Sequence, residues 1–94
     1  MPPLGIKRFR KKEKFEKAYK KLDPEIKLAV DDAIKDLLKD PPPAGRRIKK
    51  MGGHHNPDIW EIRVNHNFRM TFEIQDDIAT LRNVGSHNLL YRNP

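Results

Sequence analysis

The sequence predicts an α+β fold, in which an N-terminal strand and a helical hairpin pack on a C-terminal antiparallel β-meander. Its 94 residues are enough for one hydrophobic core, so residues 1–94 are expected to form a single domain. Apolar residues recur with a helical period of about 3.6 in the first half and alternate with a period of about 2 in the second half. Three consecutive prolines, at positions 41–43, separate the two regions. Helices followed by a run of strands are typical of the α+β class.

The N-terminal region is predicted to contain one strand and two helices. Residues 4–10 are the candidate edge strand, with Ile6 as its best apolar residue. A first helix over residues 12–22 is indicated because its apolar residues fall on one face: Phe15, Ala18, Tyr19 and Leu22. A second helix begins at Asp23-Pro24, with an acidic cap and a proline at its first position. It is expected to end at about Lys39 and to form an antiparallel hairpin with the first helix.

Three strands are predicted after the prolines. Residues 60–64 and 68–74 each alternate apolar and polar side chains, and residues 65–67 join them as a short hairpin turn. Residues 78–84 form a third strand that Gly85 ends, but its apolar residues lie on both faces. This strand is either central and buried on both sides or bulged, and the sequence leaves both alternatives open.

The predicted packing covers one face of the meander with helices and leaves the other face open to solvent. Trp60 belongs to the covered, apolar face, because it alternates in phase with Ile62 and Val64. The same alternation places the polar residues of the first two meander strands together on the open face: Glu61, Arg63, Arg69, Thr71 and Glu73.

The chain is strongly basic, with 20 lysines and arginines against 13 aspartates and glutamates. The excess positive charge is concentrated in two blocks, at residues 1–22 and 44–50. Charge blocks of this kind indicate a polyanion or an acidic protein as the partner.

Several classes of function are excluded by what the sequence lacks. It contains no cysteine, which excludes disulfides, thiolate zinc sites and thiol nucleophiles. No apolar stretch approaches the ~18 residues of a membrane helix, and the N-terminus does not resemble a signal peptide. A cytoplasmic protein without a membrane partner is therefore expected. The four histidines have no metal-ligand spacing and no cofactor fingerprint is present, so neither a metal nor a small-molecule cofactor is expected.

His87 and Arg69 are the leading candidates for chemistry, and each has a structural alternative. His87 follows the last strand, and histidine side chains transfer protons near neutral pH; the alternative is a hydrogen-bonded turn residue. Arg69 offers a guanidinium fork suited to a phosphate. Its alternative is a cross-strand ion pair with Glu61 or Glu73.

Four further residues are candidates for binding rather than catalysis. Arg63 has the same two interpretations as Arg69. Lys49 and Lys50 are either solvated charges or a pair that binds phosphate groups. Tyr91 lies near the C-terminus, where its ring is a candidate for stacking on a base.

The order and spacing of four segments resemble the RelE/ParE toxin superfamily of bacterial toxin–antitoxin modules. The resemblance extends over nearly the whole chain and is closest to the RelE-, YafQ- and YoeB-like mRNA interferases. It rests, together with the helical hairpin, on Arg47-Ile48-Lys49-Lys50-Met51-Gly52, Trp60-Glu61-Ile62-Arg63-Val64, His66-Asn67-Phe68-Arg69-Met70-Thr71-Phe72 and Val84-Gly85-Ser86-His87-Asn88-Leu89-Leu90-Tyr91.

The resemblance implies a metal-independent endoribonuclease that cuts mRNA on the ribosome and is neutralised by a cognate antitoxin. The 2′-hydroxyl of the RNA would attack the adjacent phosphate. In this interpretation Arg69 stabilises the charge at the phosphate and His87 transfers a proton, as the acid. Glu61 or His54 would be the base. The remaining candidates would hold the RNA backbone or stack on a base: Lys49, Lys50, Arg63 and Tyr91.

Two rival interpretations keep the same fold. A ParE-type toxin would poison DNA gyrase without cutting nucleic acid, and a catalytically inactive relative would bind only nucleic acid or antitoxin. The presence of both Arg69 and His87 favours the ribonuclease.

Overall fold

A computed structural model of the protein describes residues 5–39, 41–51 and 58–94. Its helices are α1 (Glu13–Lys20), α2 (Pro24–Leu37) and α3 (His87–Arg92), and a 3₁₀ turn spans Ala44–Arg46. Its strands are β1 (Arg8–Lys11), β2 (Lys49–Lys50), β3 (Ile59–Arg63), β4 (Phe68–Gln75) and β5 (Ile78–Ser86). None of the helices within these residues is long and apolar enough to cross a membrane.

The strands form one sheet in the order β1-β5-β4-β3-β2. The pairs β2–β3, β3–β4 and β4–β5 are antiparallel, whereas the edge strand β1 is parallel to β5. The predicted α+β fold is therefore confirmed, with its N-terminal strand, helical hairpin and meander. The short strand β2 was not predicted, because two residues within a basic loop show no alternation that a pattern could detect.

The main core lies between the helical hairpin and one face of the sheet. Phe15 of α1 and Val30 of α2 are fully buried there, as are Ile62, Met70 and Phe72 of the meander. Complete burial of one such side chain contributes ~1.5–3 kcal/mol. Asp23 has the extended backbone of an N-cap before Pro24, but its side chain makes no capping hydrogen bond. The start of α2 thus depends on the proline and on packing more than on the predicted acidic cap.

Strand β5 satisfies both alternatives that the sequence leaves open. It lies between β1 and β4, which makes it central. Its pairing with β4 also shifts register between Thr71 and Phe72, so the ladder contains an irregularity of the β-bulge type. The strand continues through Gly85 to Ser86 and does not end at Gly85.

The second face of the sheet is more covered than predicted: Arg63, Arg69 and Glu73 are partly exposed, but the other two residues predicted on the open face are buried. Glu61 and Thr71 are only 5% and 0% exposed. The chain continues past β5 into α3, which packs against β4 and β5 and buries Leu90. The backbone oxygen of Asn93, just after α3, accepts a hydrogen bond of 2.7 Å from the Asn83 side chain. Polar residues of this face are thus buried with hydrogen-bond partners.

Arg46 connects the end of α2 to the end of β3. Its Nε donates a 2.7 Å hydrogen bond to Asp36, and its Nη1 donates to the backbone oxygens of Arg63 and Val64. Asp36 also pairs with Lys39 at 2.8 Å. The hydrogen bonds from Lys39 and Arg46 lower the pKa of the Asp36 carboxyl below its ordinary value.

We expect this cluster to make folding stability depend on pH. Because the folded-state pKa of Asp36 is lowered, its stabilisation is present above the unfolded-state value of ~3.9 and is lost as the pH falls through the folded-state pKa. Asp36→Asn should cost on the order of 1 kcal/mol at neutral pH and reduce the acid sensitivity. Urea unfolding from neutral to strongly acidic pH measures both effects. Asp32→Asn, at an exposed position of the same helix, should keep the wild-type dependence; identical pH curves for all three proteins would contradict the expectation.

Candidate functional site

A groove of about 500 Å³ lies between the β3–β4 turn and the start of α3. It contains both residues predicted to be catalytic, which come from different elements of the fold. Its lining residues are His66, Asn67, Arg69, Ser86, His87 and Asn88. The groove is called the 69/87 groove below.

The β3–β4 turn that forms one wall of this groove is tightly hydrogen-bonded. The side-chain oxygen of Asn65 accepts from the backbone N–H groups of Asn67, at 3.0 Å, and Phe68, at 2.9 Å. The backbone N–H groups of Val64 and Asn65 both donate to the Phe68 oxygen. Asparagine side chains form such local turns readily, so this wall is a defined structure.

Arg69 is the second residue of the central strand β4, and it pairs with Arg63 on β3 and with Gly85 on β5. Its Nη1 donates to the backbone oxygens of Asn65, at 2.7 Å, and Phe68, at 3.0 Å. A longer contact of 3.4 Å reaches the oxygen of His66. Its Nε and Nη2 have no hydrogen-bond partner among the described residues.

The predicted alternative for Arg69, an ion pair with Glu61 or Glu73, is wrong. Glu61 pairs with Lys49 at 3.6 Å, and Glu73 pairs with Arg82 and Lys12. No carboxylate among residues 5–39, 41–51 and 58–94 forms an ion pair with the Arg69 guanidinium. Its positive charge therefore remains available to an anion in the groove.

His87 is the first residue of α3, and its backbone connects the helix to the β3–β4 turn. Its N–H donates a 3.1 Å hydrogen bond to the backbone oxygen of Asn67. Ser86 caps the helix, accepting a 3.3 Å hydrogen bond from the N–H of Leu89. The His87 ring meets the Tyr91 ring edge to face, with centroids 4.6 Å apart. Because Tyr91 is still 52% exposed, part of its ring remains accessible beside the histidine.

Of the residues predicted to bind RNA, Arg63 lies next to the groove, whereas Lys49 and Lys50 are on β2 at the edge of the sheet. Lys49 pairs in register with Glu61 and Lys50 with Trp60, so the two lysines lie on opposite faces of the sheet. The Lys50 ammonium lies 5.6 Å from the centroid of the Trp60 ring. The predicted lysine pair is therefore divided between two surfaces. Arg63 is adjacent to Arg69 and donates to the Asn65 oxygen at 3.4 Å.

Neither candidate for the base lies in the described part of the groove. The Glu61 side chain is buried and paired with Lys49, and His54 lies outside the described residues. His66, interpreted from sequence alone as a turn residue, does lie in the β3–β4 turn and also lines the groove. No sequence pattern indicated this position; the structure reveals it through the antiparallel pairing of Phe68 with Ser86, which places the turn before β4 beside the residues after β5.

A second, apolar groove of about 750 Å³ runs between α1 and β5. Its lining includes the apolar residues Leu22, Phe68 and Leu89. Three lysines of α1 and its C-terminal end also line it, Lys14, Lys17 and Lys21, together with Glu13, which pairs with Lys17 at 3.2 Å. Leu89 is among the exposed large hydrophobic residues. Ser86 lines both this lysine-rimmed groove and the 69/87 groove, so the two are adjacent.

The chain belongs to the ParE-like toxin family of type II bacterial toxin–antitoxin systems, whose family model matches residues 9–94. It is thus a toxin of the RelE/ParE superfamily. A sequence comparison with curated proteins found no significant match.

Solved structures show the same fold. YafQ from Escherichia coli strain BL21(DE3) has a TM-score of 0.75 and 14% identity, over 88% of this chain and 96% of its own. The RelBE2 toxin–antitoxin complex of Mycobacterium tuberculosis has a TM-score of 0.73 and 20% sequence identity, and the match covers 93% of this chain and 98% of that chain. The RelB–RelE antitoxin–toxin complex of Methanococcus jannaschii has a TM-score of 0.67 and 22% sequence identity, and the match covers 90% of this chain and 99% of that chain. At these identities the likeness concerns the fold.

Proposed function

We propose that this toxin is an endoribonuclease that cleaves mRNA and thereby inhibits translation. The observation that carries the proposal is the 69/87 groove, in which an imidazole and a guanidinium that has no carboxylate partner among the described residues face one space. Cleavage of RNA by its own 2′-hydroxyl needs positive charge at the phosphate and a proton donor for the leaving oxygen. Arg69 and His87 supply these two groups.

The proposed reaction converts a phosphodiester into a 2′,3′-cyclic phosphate and a free 5′-hydroxyl. Arg69 binds the non-bridging oxygens as charge develops on them, using the Nε and Nη2 groups that face no protein acceptor in the described structure. His87 protonates the 5′-oxygen as it leaves. Arg63 adds a second positive charge next to Arg69, and the exposed part of the Tyr91 ring provides a surface on which a base can stack.

The ribosome is the proposed place of cleavage, and basic surface supports this part of the proposal. The lysines of α1 at positions 14, 17 and 20 are exposed, and Lys49 and Lys50 add charge on β2. Phosphate contacts of this kind are electrostatic and independent of base sequence. They would orient the toxin on ribosomal RNA while the 69/87 groove meets the mRNA.

We expect induced expression in bacteria to stop protein synthesis before DNA synthesis, because mRNA is the proposed substrate. Pulse labelling with an amino acid and with thymidine compares the two rates, and mapping of RNA ends locates the cuts. An early loss of DNA synthesis with intact mRNA would instead favour the gyrase-poisoning function.

Removing metal ions from the purified toxin with a chelator should not change its rate of mRNA cleavage on ribosomes. Within the residues that the structure describes, no three histidine, aspartate or glutamate side chains form a group that could hold a metal ion. Because ribosomes need Mg²⁺, the toxin is treated with EDTA and desalted before it is added. Activity that is lost in this treatment and regained with a divalent ion would overturn the mechanism.

A cognate antitoxin is the proposed protein partner, and the lysine-rimmed groove is its proposed binding surface. An apolar lining with lysines along it is complementary to a segment that carries both acidic and apolar side chains. A segment bound there would lie against Ser86 and Leu89, next to the 69/87 groove. Binding at this surface could therefore block access of RNA to Arg69 and His87.

A further inference from the structure

The proposed cleavage needs a base for the 2′-hydroxyl, and the sequence-based candidates do not provide one in the described structure. Glu61 is 5% exposed and its carboxylate pairs with Lys49. The titratable or charged side chains that line the 69/87 groove are His66, Arg69 and His87. Arg69 keeps its proton in proteins, and His87 is assigned to the leaving oxygen, which leaves His66.

We propose that His66 is the general base of the reaction, an inference that rests on the proposed ribonuclease function. The His66 side chain is exposed and lines the groove. Its backbone oxygen lies 3.4 Å from Nη1 of Arg69, so it is next to the group that would hold the phosphate. The bond from the His87 N–H to the Asn67 oxygen ties the segments that carry the two histidines to each other.

The surroundings of His66 indicate a chemical rather than a structural role. Among the described residues, no hydrogen bond, ion pair or ring contact holds its imidazole. The turn is instead held by the Asn65 side chain and the Arg69 guanidinium. The imidazole is therefore presented by a hydrogen-bonded turn and has no partner among the described residues.

The two imidazoles account for every proton transferred in the proposed reaction. Neutral His66 takes the proton of the 2′-hydroxyl as the bond from the 2′-oxygen to phosphorus forms. The bond from phosphorus to the 5′-oxygen breaks, and protonated His87 gives its proton to that oxygen. The products are the cyclic phosphate and the 5′-hydroxyl, with His66 protonated and His87 neutral. Exchange of protons with water restores the starting states without any co-reactant.

The test uses the full-length toxin, ribosomes carrying a defined mRNA, and two versions of that mRNA. One has the natural linkage at the site that wild-type toxin cuts, and the other has sulfur in place of the 5′-oxygen there. A thiolate leaves without a proton, so the sulfur mRNA bypasses the acid but still needs the base. His66→Gln and His87→Gln should each lower single-turnover cleavage of the natural mRNA by ~10²–10⁴-fold. On the sulfur mRNA, His87→Gln should approach the wild-type rate and His66→Gln should remain slow.

A pH profile separates a base from a residue that only positions the RNA. The wild-type rate should fall at acidic pH as the base is protonated, and His66→Gln should lose this decline. The charged or titratable residues in the described structure that line the groove with His66 or donate to its turn are Arg63, Arg69 and His87, and of these three side chains only the histidine changes charge in the neutral range. Gln75→Ala, at the exposed far end of β4, is the matched control and should behave as wild type.

Each outcome decides the proposal. A folded His66→Gln toxin that cuts at the wild-type rate, keeps the acidic decline, or is rescued by sulfur would overturn the assignment of His66 while leaving the ribonuclease function in place. If wild-type toxin cuts neither mRNA, the proposed function itself fails and the assignment fails with it. Thermal melts of each variant confirm folding, which the exposed position of His66 should preserve.

Discussion

Arg69→Ala should slow mRNA cleavage by ~10²–10³-fold, the usual cost of losing one donor to developing negative charge. The expectation follows from the position of the guanidinium at the groove and from the absence of a carboxylate partner in the described structure. Arg69→Lys should recover only part of the rate, because an ammonium restores the charge but not the planar fork. Single-turnover cleavage on ribosomes and growth arrest on induction measure the effect.

The structure also gives Arg69 a second role, which the experiment must separate from the first. Its Nη1 supports the turn through the oxygens of Asn65 and Phe68, so Arg69→Ala should lower the melting temperature. Arg8→Ala is the matched control, since Arg8 forms an exposed ion pair with Asp77 at the other end of the sheet. It should cost under ~1 kcal/mol and leave cleavage intact. A folded Arg69→Ala toxin with full activity would mean that the arginine only supports the turn.

The main elements of the fold could be predicted because their apolar residues repeat. Phe15 and Tyr19 on α1, and Trp60 and Ile62 on β3, show the periods of 3.6 and 2 that burial on one face imposes. The helical hairpin and the meander follow from this pattern. The parallel pairing of β1 with β5 does not, because residues 8–11 are all exposed and carry no apolar alternation.

The burial of the second sheet face could not be predicted from alternation, because alternation assumes that polar residues face water. Thr71 and Asn83 are polar and buried, and their side chains are satisfied by a backbone oxygen of β5 and by one near the C-terminus. The second of these partners lies just after α3, a helix of six residues. Ser86 as a capping residue before Leu89 and Leu90 was a weak signal for it.

Part of the candidate site could be predicted from the sequence, but the positions of the two lysines and of His66 required the structure. Arg69 and His87 were candidates because of their residue types and positions, the family resemblance favoured a functional role for both, and the structure shows that they line one groove. The division of Lys49 from Lys50 follows from strand alternation alone, once β2 is known to be a strand. His66 could not be distinguished from an ordinary turn residue until the pairing of β4 with β5 placed its turn beside α3.

His87→Gln should lower the cleavage rate by ~10²–10⁴-fold, because glutamine cannot give a proton to the leaving 5′-oxygen. The fold should tolerate the change. The hydrogen bond that attaches His87 to the β3–β4 turn comes from its backbone N–H, which every residue except proline retains. Loss of the edge contact with Tyr91 should cost ~0.5–1.5 kcal/mol. The measurements are single-turnover cleavage, growth arrest on induction and a thermal melt.

A structural role for His87 makes the opposite prediction, which is why the substitution is informative. If the residue only begins α3, glutamine keeps the backbone bond and the Ser86 cap, and toxicity should be unchanged. Arg92→Gln, at an exposed position of the same helix, controls for a change of polarity or charge on α3 and should stay toxic. Fully toxic, folded variants at both Arg69 and His87 would contradict the ribonuclease proposal, because Arg69 is the fixed positive charge, and His87 the proposed proton donor, among the side chains that line the described groove.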